Sequence, residues 1–400
     1  MASKGLMIAG LASGSGKTMV TLGLLRALAR RGKTPAAGKT GPDYIDSGFL
    51  SAASGSKAVN LDQFAMSKPL LTHLAAGQAG ETLIIEGVMG LFDGASGNAG
   101  SSAALANVLD IPVILVMDVR HTAQTAAMIA AGIASLLPAG RIAGVILNHV
   151  ASPRHLALVS EALATHKIPL FGSVPSRDGL AVPSRHLGLV QAADFDNAGL
   201  EQILDHAADL IDEYCDLDVI LDAARTLPIA DRAVAALPRP LTASPANIIA
   251  VANDANFIFL PGGYPELHLP TLSTNSRFLA GLAKAATANI PIYGECGGYM
   301  VLGTGITDAS GNRFDMAGLL DVETSFANKK RHLGYRKFTP IEPFFWPGPF
   351  LGHEFHYTNV ISAAGTPLFT AYDANDQPLG AAGLRKGSVA GSYLHIIASS

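Results

Sequence analysis

Two glycine-rich segments hold the residue types that could do chemistry. In Ser13-Gly14-Ser15-Gly16-Lys17-Thr18, a lysine and a hydroxyl come shortly after the apolar run Leu6-Met7-Ile8-Ala9. A glycine loop between a strand and a helix aims backbone N–H groups at a phosphate, and the helix dipole adds to the attraction. Gly14, Ser15, Gly16, Lys17 and Thr18 are therefore expected to bind a nucleotide, with Thr18 placed to ligate Mg2+. The strict phosphate-loop pattern asks for glycine five places before Gly16, but Leu11 stands there and Gly10 comes one place early. In Gly294-Glu295-Cys296-Gly297-Gly298, a thiol lies between the apolar run Ile290-Pro291-Ile292-Tyr293 and an expected helix. Small neighbours permit a sharp turn, and a helix N-terminus lowers a thiol's pKa, so Cys296 reads as a nucleophile. Cys215, in Glu213-Tyr214-Cys215-Asp216, reads as structural.

Metal-bound phosphates need carboxylates at neighbouring strand ends. Asp43 and Asp46, in Gly41-Pro42-Asp43-Tyr44-Ile45-Asp46, follow a second apolar run, and Glu86 ends a third. Asp93, in Leu91-Phe92-Asp93-Gly94, is a weaker candidate that a turn would also explain, and Asn148, after Val145-Ile146-Leu147, is a candidate adenine reader. Near the thiol, His395 in Gly391-Ser392-Tyr393-Leu394-His395 competes as base with His353 and His356 of Gly352-His353-Glu354-Phe355-His356-Tyr357. Spacing alone leaves that choice open. Leu260-Pro261-Gly262-Gly263 would end a strand in exposed amides of Gly262 and Gly263, suited to an oxyanion hole.

These groups need elements to position them. Apolar runs at 6–9, 36–39, 82–85, 113–117, 142–147 and 170–174 read as buried strands, with helical spacing at 19–30, 123–136 and 156–165 between them. That order predicts an α/β fold with a parallel sheet flanked by helices, ligands gathering at the strands' carboxyl ends. Residues 1–191 are expected to form the ATP-binding domain. Residues 192–245 form a helical tail and linker ending in Pro238-Arg239-Pro240 and Ser244-Pro245, and residues 246–400 form a second strand-bearing domain. Four hundred residues suffice for two cores.

Composition removes several function classes. Charged residues make up 15 % and the net charge is −4, which gives no basic footprint for nucleic acid. No membrane-length apolar span or signal-peptide pattern occurs, so no membrane partner is expected. Two distant cysteines fit a reducing cytoplasm rather than a disulfide framework.

Taken together, several segments resemble the a,c-diamide synthases of cobalamin biosynthesis, which act on cobyrinic or hydrogenobyrinic acid. They are residues 13–18, 41–46, 60–62 (Asn60-Leu61-Asp62), 86–94, 183–189 (Pro183-Ser184-Arg185-His186-Leu187-Gly188-Leu189), 260–267, 294–300, 333–336 (Leu333-Gly334-Tyr335-Arg336) and 352–357. The resemblance runs nearly the whole chain in order. It implies a P-loop parallel-sheet domain similar to dethiobiotin synthetase, followed by a class I-type glutamine amidotransferase α/β domain. It implies ATP, glutamine and a corrinoid acid as substrates, Mg2+ as cofactor, Cys296 as nucleophile and His395 as its base. The third glutamate usual in such glutaminases is missing from this subgroup, which leaves His353 and Glu354 a substrate-contact role. We assign Tyr44, Asp46, Asp93 and Arg185 to the corrinoid substrate. Its polyanionic edge also calls for local positive charge, for which Lys39, Arg120, Arg154 and Arg185 are candidates. Lys39-Thr40 before Gly41 is more similar to the cobalt-free, aerobic-pathway enzymes, which favours hydrogenobyrinic acid.

Cobyric acid synthase, an amidase of other corrinoid carboxylates, is a close alternative because it shares both domain types. A partition-type P-loop switch ATPase is disfavoured, since Leu11, Ala12 and Ser13 occupy the place of its signature lysine and Cys296 would have no role. A homodimer is left open. One departure stands out: residues 252–256 alone separate an expected strand at 248–251 from the next at 257–260, whereas a parallel crossover needs a dozen residues or more.

Overall fold

The computed structural model describes residues 4–176, 197–229, 256–343 and 345–399. Arg185 and the 183–189 segment lie outside the described residues, as does the expected strand at 248–251. The chain divides into two compact units, Met1–Leu237 and Pro238–Ser400.

The first unit alternates strand and helix. Its elements begin β1 Lys4–Gly10, α1 Lys17–Arg30, β2 Pro35–Thr40, α2 Tyr44–Ser54, β3 Val59–Leu61, α3 Lys68–Ala76 and β4 Thr82–Glu86. There follow α4 Ser102–Leu109, β5 Val113–Asp118, α5 Gln124–Ser135, β6 Ile142–Val150, α6 Pro153–Thr165 and β7 Leu170–Pro175. The sheet runs β3-β2-β4-β1-β5-β6-β7, with every neighbouring pair parallel. All six expected strands are present, and β3 is an addition that makes Glu86 the end of the fourth strand. Continuous burial explains why the strands read as apolar runs: Leu6, Met7, Ile8, Ile84, Ile85, Ile114 and Leu115 have no exposed surface.

The stretch read as tail and linker carries α7 Asn197–Tyr214, α8 Leu217–Asp222 and β8 Arg225–Thr226. It is built into the first unit. Strand β8 pairs antiparallel with β1, and Leu204, Ala208 and Ile211 of α7 join the core that holds Leu24 and Leu28 of α1. Ion pairs from Arg26 to Glu201 and Asp205, from Arg30 to Asp209 and from Arg31 to Asp212 line the same seam.

The second unit contains β9 Ile258–Leu260, α9 Leu269–Thr274, α10 Ser276–Thr287, β10 Ile292–Glu295 and α11 Gly297–Leu302. Strands β11 Gly305–Thr307, β12 Arg313–Asp315, β13 Val322–Ser325, β14 His332–Pro340, β15 Phe350–His356 and β16 Asn359–Ala363 come next. The chain then forms β17 Thr366–Asp373, β18 Pro378–Lys386, β19 Val389–Ser392 and β20 Leu394–Ser399. One sheet is ordered β20-β15-β14-β17-β18-β19-β10-β9, and β12-β11-β13-β16 form another. Only β9, β10 and β19 are mutually parallel in the large sheet; their carboxyl ends face the thiol.

Candidate active site

In the first unit, the loop after β1 delivers Lys17 and Thr18 at the start of α1. Gly16 sits at φ +92° with the Asn148 amide packed where a Cβ would stand, so only glycine suits this position. Asn148 ends β6; its Nδ2 donates to the Ser15 carbonyl at 3.1 Å and its Oδ1 accepts from the His149 N–H at 3.0 Å. Both of its polar groups are thus engaged within the protein, and they brace the loop. Lys17 Nζ donates to the Ala12 carbonyl at 2.9 Å, and burial lowers its pKa against the pull of Glu86.

A carboxylate cluster lies beside the loop. Thr18 Oγ1 donates to Glu86 Oε1 at 2.7 Å, and Lys39 Nζ donates to the same oxygen at 3.0 Å. Lys39 also pairs with Asp46 and stands 3.6 Å from Asp43 Oδ2. Burial alone would lower the Lys39 pKa, but Glu86, Asp43 and Asp46 outweigh it and raise the pKa. Burial pushes Asp43 up to about 6 and raises Glu86 too, against the opposing effect of Lys39. Three carboxylates face the Lys39 ammonium, and Lys17 is near enough to act on Glu86 and Asp46. Glu86 Oε2, fully buried, has no hydrogen-bond partner. A hard divalent cation fits such a donor set.

The other expected contacts are placed as follows. Asp43 Oδ1 caps α2 by accepting from Asp46 N at 3.2 Å, and Tyr44 opens that helix. Asp93 Oδ2 accepts from Gly90 N at 2.8 Å, closing a turn. Lys39 is 2 % exposed and committed to carboxylates, so it cannot greet a substrate at the surface. Exposed Arg120 grips Asp118, and Arg154 is exposed at the start of α6.

In the second unit, Cys296 forms the bend between β10 and α11 at φ +49°, ψ −105°. Its N–H donates to the Ser392 carbonyl at 2.8 Å, which fastens the bend to β19, and its thiol lies 3.6 Å from the Phe355 carbonyl. Gly262 follows β9 so closely that a Cβ there would stand 2.8 Å from His395 Cε1 and 3.6 Å from Cys296 Cβ. The loop of Gly262 and Gly263 therefore borders the thiol and His395 together. Among the competing histidines, His395 faces the thiol. Its Nδ1 donates to Glu295 Oε1 at 2.9 Å, and its pKa is pushed up to about 10 as Glu295 and Cys296 outweigh burial. Glu295 makes this contact from the strand before the nucleophile, and nothing in the sequence marked a contact spanning a hundred residues.

His353 stacks on His395, ring centroids 4.5 Å apart and planes 15° apart, and burial holds it neutral. Glu354 accepts from Arg336 at 2.9 Å and from His356 Nε2 at 2.9 Å. His332, Glu354 and His356 lie close enough to suggest a metal site. Yet the two rings stack 4.5 Å apart and 8° from parallel, so their lone pairs lie in separate planes and do not converge. Cys215 is half-buried against Gly172, and burial pushes its thiol up to about 12. No helix among the described residues is long and apolar enough to cross a membrane.

Comparison with known proteins agrees with both halves. Residues 6–190 match the CobQ/CobB/MinD/ParA nucleotide binding domain, and residues 232–400 match the CobB/CobQ-like glutamine amidotransferase domain. A hydrogenobyrinate a,c-diamide synthase of Rhizobium meliloti (strain 1021) is 45 % identical over 98 % of this chain and 99 % of the relative. Proteins of the same name from Sinorhizobium sp and Rhodobacter capsulatus are 44 % and 41 % identical, each covering at least 98 % of both chains. The R. meliloti alignment spans 425 positions with 98 % of a 400-residue chain, so about 33 positions have no counterpart here. With both domain families matched and relatives covered end to end, the chain belongs to the hydrogenobyrinate a,c-diamide synthase family, an amidoligase that joins a nucleotide-binding domain to a glutamine amidotransferase domain.

Proposed function

We propose that this enzyme amidates the a and c carboxylates of hydrogenobyrinic acid, using ATP and glutamine. The observation that carries the ATP half is the cluster of Thr18, Lys39, Asp43 and Glu86 at the mouth of the phosphate loop, with a buried Glu86 oxygen left over. A corrin carboxylate oxygen attacks the γ-phosphorus, ADP leaves, and the resulting acyl phosphate has phosphate as its leaving group. Ammonia then displaces phosphate to give the amide. Lys17 neutralises charge on the transferring group. Thr18, Asp43 and Glu86 would hold Mg2+, which would supply further charge neutralisation to the phosphoryl transfer. Asn148 shapes the nucleotide loop through Ser15. Tyr44, Asp46, Asp93 and Arg185 are assigned to the substrate side.

In the glutaminase half, the Cys296 thiol gives its proton to His395, and the resulting thiolate attacks the glutamine carboxamide. The amides of Gly262 and Gly263 stabilise the oxyanion. The proton returns to the departing ammonia, and water hydrolyses the thioester to glutamate.

Steady-state kinetics with hydrogenobyrinic and cobyrinic acids tests the substrate. The expected result is ADP and phosphate release with both amides formed, and a higher kcat/KM for the cobalt-free acid. A preference for the cobalt-containing acid overturns the choice of corrinoid. Turnover of neither overturns the reading.

A further inference from the structure

We propose that Glu295 is the positioning carboxylate of His395, so that nucleophile and orienting acid are consecutive residues in one Cys296–His395–Glu295 set. This inference rests on the reading of Cys296 and His395 as nucleophile and base.

The geometry is bidentate along one strand. Glu295 Oε1 accepts from His395 Nδ1 at 2.9 Å, and Oε2 accepts from the Ile396 backbone N–H at 3.1 Å. Two bonds to neighbouring residues of β20 fix the carboxylate's rotation, and the carboxylate fixes the imidazole. A carboxylate partner requires a proton on Nδ1, which leaves Nε2 as the nitrogen that serves the thiol. Glu295 is only 6 % exposed, and a buried carboxylate is retained where it is paired and hydrogen-bonded.

The charged and titratable groups facing His395 agree with this role. Cys296 approaches from the bend and Glu295 from β10, while His353 of β15 covers the ring face with Arg336 of β14 behind it. His353 is held neutral by burial, with His395 and Arg336 adding to the effect, so it contributes a stacking surface and no opposing cation. The imidazolium formed when sulfur loses its proton therefore meets one fixed negative charge. The proton moves from Sγ to Nε2 and from Nε2 to the leaving ammonia.

A purely structural Glu295 would only tie β10 to β20, and the two roles separate experimentally. Glu295→Gln keeps an oxygen to accept one of these N–H groups but removes the charge. The expected result is a fall in glutaminase kcat on the order of 10^2-fold or more with little change in KM for glutamine. Amidation from external ammonia should persist. The His395 titration followed by NMR should drop from near 10 towards its ordinary 6.5, and Glu295→Asp should raise it again. A kcat within about two-fold of wild type, in a background where Cys296→Ala has lost glutamine use, overturns the proposal. If Cys296→Ala keeps glutamine use, the underlying reading fails instead. Should Glu295→Gln not fold, the wild-type titration decides alone: a His395 that titrates near 6.5 overturns the assignment.

Discussion

The Thr18 hydroxyl donates to Glu86 Oε1 across 2.7 Å, joining the first turn of α1 to the last residue of β4. The bond fastens the helix that follows the glycine loop to the carboxylate that ends a neighbouring strand. It also explains why the two residues matter together, since each orients the other before any ligand arrives.

Lys17→Ala should abolish ATP-dependent amidation and leave glutaminase activity largely intact, because the two sites belong to separate units. Measuring ADP release and glutamate release on the same variant checks it. Undiminished amidation would refute the phosphate-site assignment.

Lys39→Met should destabilise the first unit by about 3 kcal/mol in metal-free buffer, since it leaves buried carboxylates without their ammonium. Magnesium ions should recover more of this loss than they add to the wild type. Thermal unfolding of both proteins with and without Mg2+ gives the comparison, and equal Mg2+ responses would remove the cation-site reading.

Cys296→Ala should end glutamine use while external ammonia still supports amidation. Iodoacetamide near neutral pH should label Cys296 and spare Cys215, whose thiol burial raises to about 12. Peptide mapping after brief labelling shows which sulfur reacts.

Glu354 links stability to acid. Burial alone would raise its pKa, but His356 and Arg336 bring it from 4.5 to about 2. Burial holds His356 largely neutral, so the standing charge that faces Glu354 at neutral pH is Arg336. A depressed carboxylate contributes stability above pH 4.5 that fades as pH falls towards 2. Glu354→Gln should therefore cost at most roughly 3 kcal/mol at pH 7 and progressively less in acid. Urea titrations at pH 7 and pH 3 measure the difference; equal costs at both would contradict it.

Much of the first unit was legible in the sequence because its strands are buried on both faces. Runs such as 113–117 and 142–147 carry that signal without help from tertiary context. Strand β3 was missed because three residues, Val59–Leu61, make too short a run, and β8 because Arg225–Thr226 is polar. The glycine loops were legible through spacing. The Glu295–His395 bond was not, because it depends on how β10 and β20 come together. About 33 positions of the R. meliloti alignment have no counterpart in this chain, more than the dozen or so residues that a parallel crossover needs.

In an extended strand, consecutive side chains point to opposite faces. The positive φ of Cys296 ends that alternation one residue after Glu295, which lets both side chains address the same imidazole from different directions. Nucleophile and orienting acid therefore travel as a single cassette. Loops elsewhere can lengthen or shrink without changing the spacing between them, and any change that relaxes the bend disturbs both members at once.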